Sequence, residues 1–331
     1  MPNVPKVAIA CQGGGRHAAC AAGMLLSLLA PGTRERFELV ALSGTSGGAI
    51  CASLAWAGML DKGPDEARTR LERFWRDLEV HDPFDAVLNF WSVWFARLPV
   101  SAELSPYSYE PIAESTLRAL LRTHLNLESL APDARQQRPK LLIGATDIRR
   151  GERVIFGGEG LTYDQVVASA AVPPLYRAVQ AGERLCWDGL FSTNPPVREF
   201  TDLADRPDEI WVVQINPQQR EGEPRSVQDI VDRRNELSGN LSLGQELYFI
   251  DRINRLVSEH DTLRARYQHI AIRVVELGLT GLDYPSKLDR RGQFIESLID
   301  NGKSRAEAFF APGSIWPRES SVPAKSVRVG S

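Results

Sequence analysis

The chain has 331 residues, 43% of them apolar and 24% charged, with a formal net charge of -3. That length can bury a sizeable core as one large α/β domain or two small ones. The charge balance gives no reason to expect nucleic acid as a partner, and the longest apolar runs, 18–30 and 49–60, are broken by glycine and too short to span a bilayer.

The first residues, Met1 to Lys6, lack the charged-then-apolar layout of a secretory signal and lead straight into Lys6–Cys11, a short apolar run suited to a strand buried on both faces. Cys11, Cys20, Cys51 and Cys186 show no C-x-x-C spacing and read as buried thiols in a reducing compartment, not as a metal site or disulfide frame. A cytoplasmic location without metal or cofactor is the expectation. After the first strand comes Gln12-Gly13-Gly14-Gly15-Arg16-His17-Ala18-Ala19, then a predicted helix over 18–30 stopped by Pro31-Gly32. A second strand over 38–42 runs into Gly44-Thr45-Ser46-Gly47-Gly48, and a helix follows to about Gly58. This βαβα opening implies parallel strands with right-handed crossovers, so both glycine loops should emerge at one carboxyl edge, close together.

The pentapeptide around Ser46 is G-x-S-x-G at a strand-to-helix turn, the arrangement a serine nucleophile needs. The plainer alternative is a glycine turn whose serine caps a helix. The Gly13 loop also has two readings. Gly13-x-Gly15-x-x-Ala18 fits a dinucleotide fingerprint, but the second strand ends in Ser43-Gly44-Thr45, with no acidic residue to hold a ribose. The alternative is a set of backbone N–H donors for an oxyanion, which the adjacent serine turn favours.

From 61 to 130 the pattern is mostly helical and carries the aromatic residues: Phe74-Trp75, then Phe84, Trp91, Trp94, Phe95 and Leu98 at three- and four-residue steps. Such a stripe is core packing, or a cap whose Trp91 and Trp94 touch a membrane surface. Strands are predicted over 140–146 and 153–156 around an Arg149-Arg150-Gly151 hairpin turn, and a small-residue helix over 166–172 stops at Pro173-Pro174. Asp188-Gly189 then stands at a strand end before Asn194-Pro195-Pro196. A triad would need His260 or His269 as base, and neither sits in a loop-like setting; Ser46 with Asp188 taking its proton fits the chain order better. The rest reads as a strand over 209–215, one or two helices over 227–258, a strand over 268–276, a helix over 294–310 and a disordered tail from Pro312.

The Gly13-Gly14-Gly15 loop, Gly44-Thr45-Ser46-Gly47-Gly48, Ala168-Ser169-Ala170-Ala171-Val172-Pro173 and Asp188-Gly189 with Asn194-Pro195-Pro196 together resemble the signatures of patatin-like phospholipases. Arg233-Arg234-Asn235-Glu236 and Ser286-Lys287-Leu288 resemble segments of bacterial members. The resemblance implies a three-layer α/β/α sandwich with a mainly parallel sheet and a helical cap at 61–130, in one domain over 1–311. It also implies hydrolysis of ester-linked acyl chains of lipids by a Ser46–Asp188 dyad without metal; the alternatives are a catalytically silent lipid- or acyl-binding protein and a nucleotide-binding protein using the Gly13-x-Gly15-x-x-Ala18 loop. In that scheme the backbone of Gly13, Gly14, Gly15, Arg16 and Gly47 forms the oxyanion hole. Two departures stand out: the family's basic residue and glycine after the loop are here His17 and Ala18, and Leu190 replaces a small residue beside Asp188-Gly189.

Overall fold

The computed structural model of the chain describes residues 4–79, 105–108, 112–173, 175–220, 222–264, 266–279, 282 and 285–311. Trp91 and Trp94, with the rest of the stripe from Phe84 to Leu98, and the tail from Pro312 lie outside the described residues.

The strands are β1 (Lys6–Cys11), β2 (Glu38–Thr45), β3 (Lys140–Asp147), β4 (Glu152–Gly157), β5 (Val179–Ala181), β6 (Arg184–Asp188), β7 (Glu209–Gln214) and β8 (Ala271–Glu276). They form one eight-stranded sheet in the order β5-β6-β3-β2-β1-β7-β8, with β4 also paired to β3. The run from β3 to β8 is parallel throughout, and β4, β5 and β6 add antiparallel pairs at one side. The main helices are α1 (Ala18–Leu28), α2 (Gly47–Asp61), α3 (Pro64–Asp77), α4 (Ile112–Leu125), α5 (Tyr163–Ser169), α6 (Val227–Glu259) and α7 (Gly292–Phe310).

The pleat of β1 shows why this is a sandwich. Val7, Ile9 and Cys11 belong to one core, shared with α1, α2, α3 and α7, while Ala8 and Ala10 belong to a second, shared with Leu243, Leu247 and Ile250 of α6. Alternate side chains of a strand point to opposite faces, so a strand apolar at every position needs cover on both. The chain is thus a mixed α/β fold with a mostly parallel central sheet between helices. Phe74 and Trp75, the described part of the aromatic concentration, are core residues at 1% and 2% exposure, and with Ala67 and Leu71 they bury one face of α3.

Several element edges differ from the sequence expectation, among them the following. α1 stops at Leu28, before Pro31. α5 starts at Tyr163, earlier than its apolar run, because Thr162 and Gln165 form a capping box at its start. β8 begins only at Ala271, where pairing to β7 begins with Glu209.

Candidate active site

The register of β3 brings the two halves of the site together. On one edge, β3 pairs β2 up to Thr45↔Gly144, and β6 takes over on that same edge at Asp188↔Ala145, since β4 occupies the opposite edge at Gly144 and Ala145. β2 runs parallel to β3 and β6 antiparallel, so their carboxyl ends meet head-on. Ser46, the residue after β2, therefore abuts Asp188, the last residue of β6. No sequence pattern announces this meeting of two strand ends.

Ser46 has φ 56°, ψ -130°, a left-handed backbone that a serine adopts only under constraint. Its N–H donates to the Ser169 carbonyl at 3.1 Å and to Ser169 Oγ at 3.0 Å. Ser169 Oγ in turn donates to the Gly144 carbonyl at 2.6 Å. Helix α2 begins at Gly47, whose amide opens the helix and has no intrahelical acceptor. Ser46 itself is 7% exposed.

Asp188 is fully buried. Its Oδ1 accepts from the Leu190 N–H at 2.8 Å, and its Oδ2 makes no hydrogen bond of full geometry. Burial pushes its carboxyl up to about 7, although the Leu190 amide and the Ser46 hydroxyl both favour the charged form. Gly189 is required at this corner, because a Cβ there would lie 2.6 Å from the Gly144 carbonyl oxygen.

The Gly13 loop lies against Ser46, as the βαβα topology predicts: a Cβ on Gly13 would stand 2.7 Å from the Ser46 Cβ. Its donor role needs correction, however. The Gly13 N–H donates to Asn194 Oδ1 at 2.7 Å, so Gly13 is a spacer that lets the loop approach, and its amide is committed. The amides of Gly14 and Gly15 make no hydrogen bond to described residues, and Gly15 takes φ +58°, a left-handed value that favours glycine.

Several residues that sequence reading passed over hold this loop. Gln12 Oε1 accepts from the N–H groups of Ile215 and Asn216 at 3.0 and 2.8 Å. Asn216 Nδ2 donates to the Gly13 carbonyl at 2.8 Å. On the far side, Arg16 Nε donates to the Leu288 carbonyl at 3.0 Å, and His17 Nε2 lies 2.8 Å from Ser286 Oγ. Lys287 between them donates to Asp232 Oδ1 and Glu236 Oε1 of α6 at 2.6 and 3.0 Å. Glu246, also on α6, accepts from the N–H groups of Val197 and Arg198 at 2.8 and 3.0 Å and from Thr193 Oγ1 at 3.1 Å, which fixes the turn after Asp188. Only the family-like segments around Asn235 and Lys287 hinted at this network; the polar positions on α6 were readable as an ordinary solvated face.

Among the described residues, the histidines singled out as possible bases stand away from Asp188. His17 is buried beside Lys287 and Arg220, and burial with those charges lowers its pKa to about 3, so it stays neutral. His260 caps α6 and His269 lies in an exposed loop. Among the described residues no cluster of His, Cys, Asp or Glu has metal-ligand geometry. All four cysteines are free and buried, and burial pushes the Cys20 and Cys51 thiols up to about 12. No helix of the described residues is long and apolar enough to cross a membrane.

A cavity of about 100 Å³ opens onto Ser46 and the Gly13–Gly15 loop. One wall is apolar, from Val172, Leu175, Leu190 and Leu288, and the other is polar. Leu190, the departure beside Asp188-Gly189, is one of the residues that line it.

Residues 9–201 match the family model described as Patatin-like phospholipase. No curated protein matches the chain. Among solved structures, the chain is similar to VipD from Legionella pneumophila, with 14% identity, a TM-score of 0.43, and coverage of 91% of this chain and 66% of that one. It is also similar to the type III effector protein ExoU, with 16% identity, a TM-score of 0.34, and coverage of 91% and 54%. The heterodimeric ExoU-SpcU complex from Pseudomonas aeruginosa gives 14% identity, a TM-score of 0.35, and coverage of 93% and 52%. The chain spans less than two thirds of the length of these proteins.

Proposed function

Because the chain belongs to the patatin-like phospholipase family, we propose that it hydrolyses ester-linked acyl chains of lipids through an acyl-Ser46 intermediate with Asp188 as the base. The activity is of phospholipase A, lysophospholipase or carboxylesterase type, carried by one catalytic domain over 1–311. The observation that supports this reading most is the buried Asp188 carboxyl, raised to about 7 and in electrostatic contact with the Ser46 hydroxyl. An exposed carboxylate is a weak base for a hydroxyl; one whose ionisation burial has pushed toward neutrality is a better matched one.

In the first step Ser46 Oγ attacks the ester carbonyl carbon and its proton passes to Asp188. The negative charge that develops on the carbonyl oxygen is met by the amides of Gly14, Gly15 and Arg16 and by Gly47 at the start of α2. The C–O bond to the alcohol breaks, and Asp188 returns the proton to the leaving oxygen. Water then attacks the acyl-serine with Asp188 again taking the proton, which goes back to Ser46 as the carboxylic acid departs. No metal takes part in this scheme. A lipid or ester is the substrate, and contact with a membrane surface through Trp91 and Trp94 belongs to the same proposal.

Ser46→Ala tests it. The purified variant should fold and lose hydrolysis of a short-chain p-nitrophenyl ester; retention of the parent rate would overturn the assignment.

A further inference from the structure

Six of the large apolar side chains that stand exposed among the described residues lie on α6: Val227, Ile230, Leu237, Leu241, Tyr248 and Phe249, at 40–63% exposure. Phe249 sits edge-on to Tyr248, with ring centroids 5.9 Å apart, and the other five recur at steps of three, four and seven residues. That spacing makes one stripe along the outward side of the helix. The inward side is occupied separately. Leu243, Leu247 and Ile250 pack on the sheet, and Asp232, Glu236 and Glu246 hold cations from other segments. Core packing therefore does not account for the outward residues. Single exposed apolar side chains are ordinary, whereas a contiguous row of them marks a contact surface. The exposed positions of α3 show the ordinary case: Asp65, Glu72, Arg73, Arg76 and Asp77 are charges of both signs.

The charge on the same side of α6 identifies what it meets. From Val227 to Ser258 no Asp or Glu is exposed, while Arg234, Arg252 and Arg255 are. The half-buried acids at the border, Asp229 and Asp251, are bonded to Ser226 and to Arg255. Arg234 and Arg252 remain as cations with no ion pair among the described residues. A second copy of this chain would set the stripe against itself, as a two-fold contact does, and would add like charges with no exposed acid of the stripe to match them. An anionic lipid surface matches both parts. Apolar and aromatic side chains enter the acyl boundary, and guanidinium groups on long stems reach the phosphates.

We propose that the outward side of α6 is a docking surface for anionic lipid bilayers. The stripe from Val227 to Phe249 is about 33 Å long at the rise of an α-helix and lies along the surface it meets. From its other side the same helix lines the Ser46 cavity, through Asp232, Asn235 and Glu236. One helix diameter, about 10–12 Å, thus separates the docked lipid from that cavity wall. The contact is carried by residues other than Trp91 and Trp94. Its use, holding the cavity next to lipid, rests on the hydrolase reading above; the contact itself does not.

The test is flotation of the purified full chain with vesicles of phosphatidylcholine alone and of phosphatidylcholine mixed with phosphatidylglycerol. The parent protein should bind the mixed vesicles about tenfold or more tighter than the neutral ones and should release as salt rises. Leu241→Ser with Phe249→Ser should weaken binding to the mixed vesicles by about tenfold or more. The melting temperature of that variant and its hydrolysis of a dissolved short-chain p-nitrophenyl ester should stay at the parent values, because both side chains are exposed and neither lines the cavity. Arg234→Gln with Arg252→Gln should bring the two vesicle types toward equal binding. Ser46→Ala should bind vesicles like the parent, which keeps a failure of the hydrolase reading apart from a failure of docking. Equal binding of the parent to both vesicle types, binding to neither, or parent-like binding by the Leu241 and Phe249 variant would overturn the proposal. So would a parent that sediments as a dimer and becomes a monomer in that variant, since the stripe would then be a contact between copies.

Discussion

Replacing Asp188 by Asn should remove catalysis and make the protein more stable, with a pH dependence set by the carboxyl. Asn keeps the shape and an oxygen for the Leu190 N–H, now at 2.8 Å from Oδ1, but carries no charge. The Asp188 carboxyl ionises at about 7 in the folded chain against an ordinary 3.8, mainly because it is fully buried. At 1.36 kcal/mol per pH unit, holding it ionised in the folded state costs roughly 4 kcal/mol. The sign follows from the raised folded value: the group's contribution to stability is complete below 3.8 and is lost as pH rises through about 7. Urea unfolding at pH 8 should therefore show Asp188→Asn more stable than the parent by up to about 4 kcal/mol, and at pH 5 by less than half of that. A variant no more stable at pH 8, or an advantage that grows on acidification, would refute the account of Asp188 as a buried, destabilised base.

Other consequences follow from the same geometry. The pH profile of kcat/KM should have an acidic limb with its midpoint near 7, falling about tenfold per unit below it; a midpoint in the ordinary carboxylate range would contradict the raised value. Ser169→Ala takes away the 3.0 Å acceptor for the Ser46 N–H and the 2.6 Å donor to the Gly144 carbonyl. It should cost about 1–3 kcal/mol in denaturant titration and lower kcat more than it raises KM. In Gly13→Ala the new methyl would meet Ser46 Cβ at 2.7 Å and the Thr45 carbonyl oxygen at 2.6 Å, so labelling of Ser46 by a fluorophosphonate should slow by about tenfold or more. Unchanged labelling would mean that the loop is free to move away.

Much of the fold is legible because its signals are local. The apolar run of β1, the G-x-S-x-G turn and the small residues after it each specify their own element, and the parallel βαβα order then places the Gly13 loop beside Ser46. Asp188 is visible as an acid at a strand end, but its position against Ser46 depends on β6 taking over the edge of β3 where β2 stops, a pairing between residues far apart in sequence. The commitment of the Gly13 amide to Asn194 is of the same kind, being a contact across 181 positions. The carboxylates of α6 are hidden for another reason. Asp232, Glu236 and Glu246 have the composition of a solvent-facing helix, and only the arginines and lysine brought in from other segments make their burial tolerable.

The central claim is a covalent acyl-Ser46 intermediate, and it is most directly tested by quenching the protein with acid during turnover of a slowly cleaved ester and mapping the added mass by peptide mass spectrometry. The adduct should equal the acyl group, sit on Ser46, build up when Asp188 is replaced by a weaker base only as far as acylation still proceeds, and be absent from Ser46→Ala. An acyl group on any other residue, or turnover with Ser46 unmodified throughout, would contradict the account.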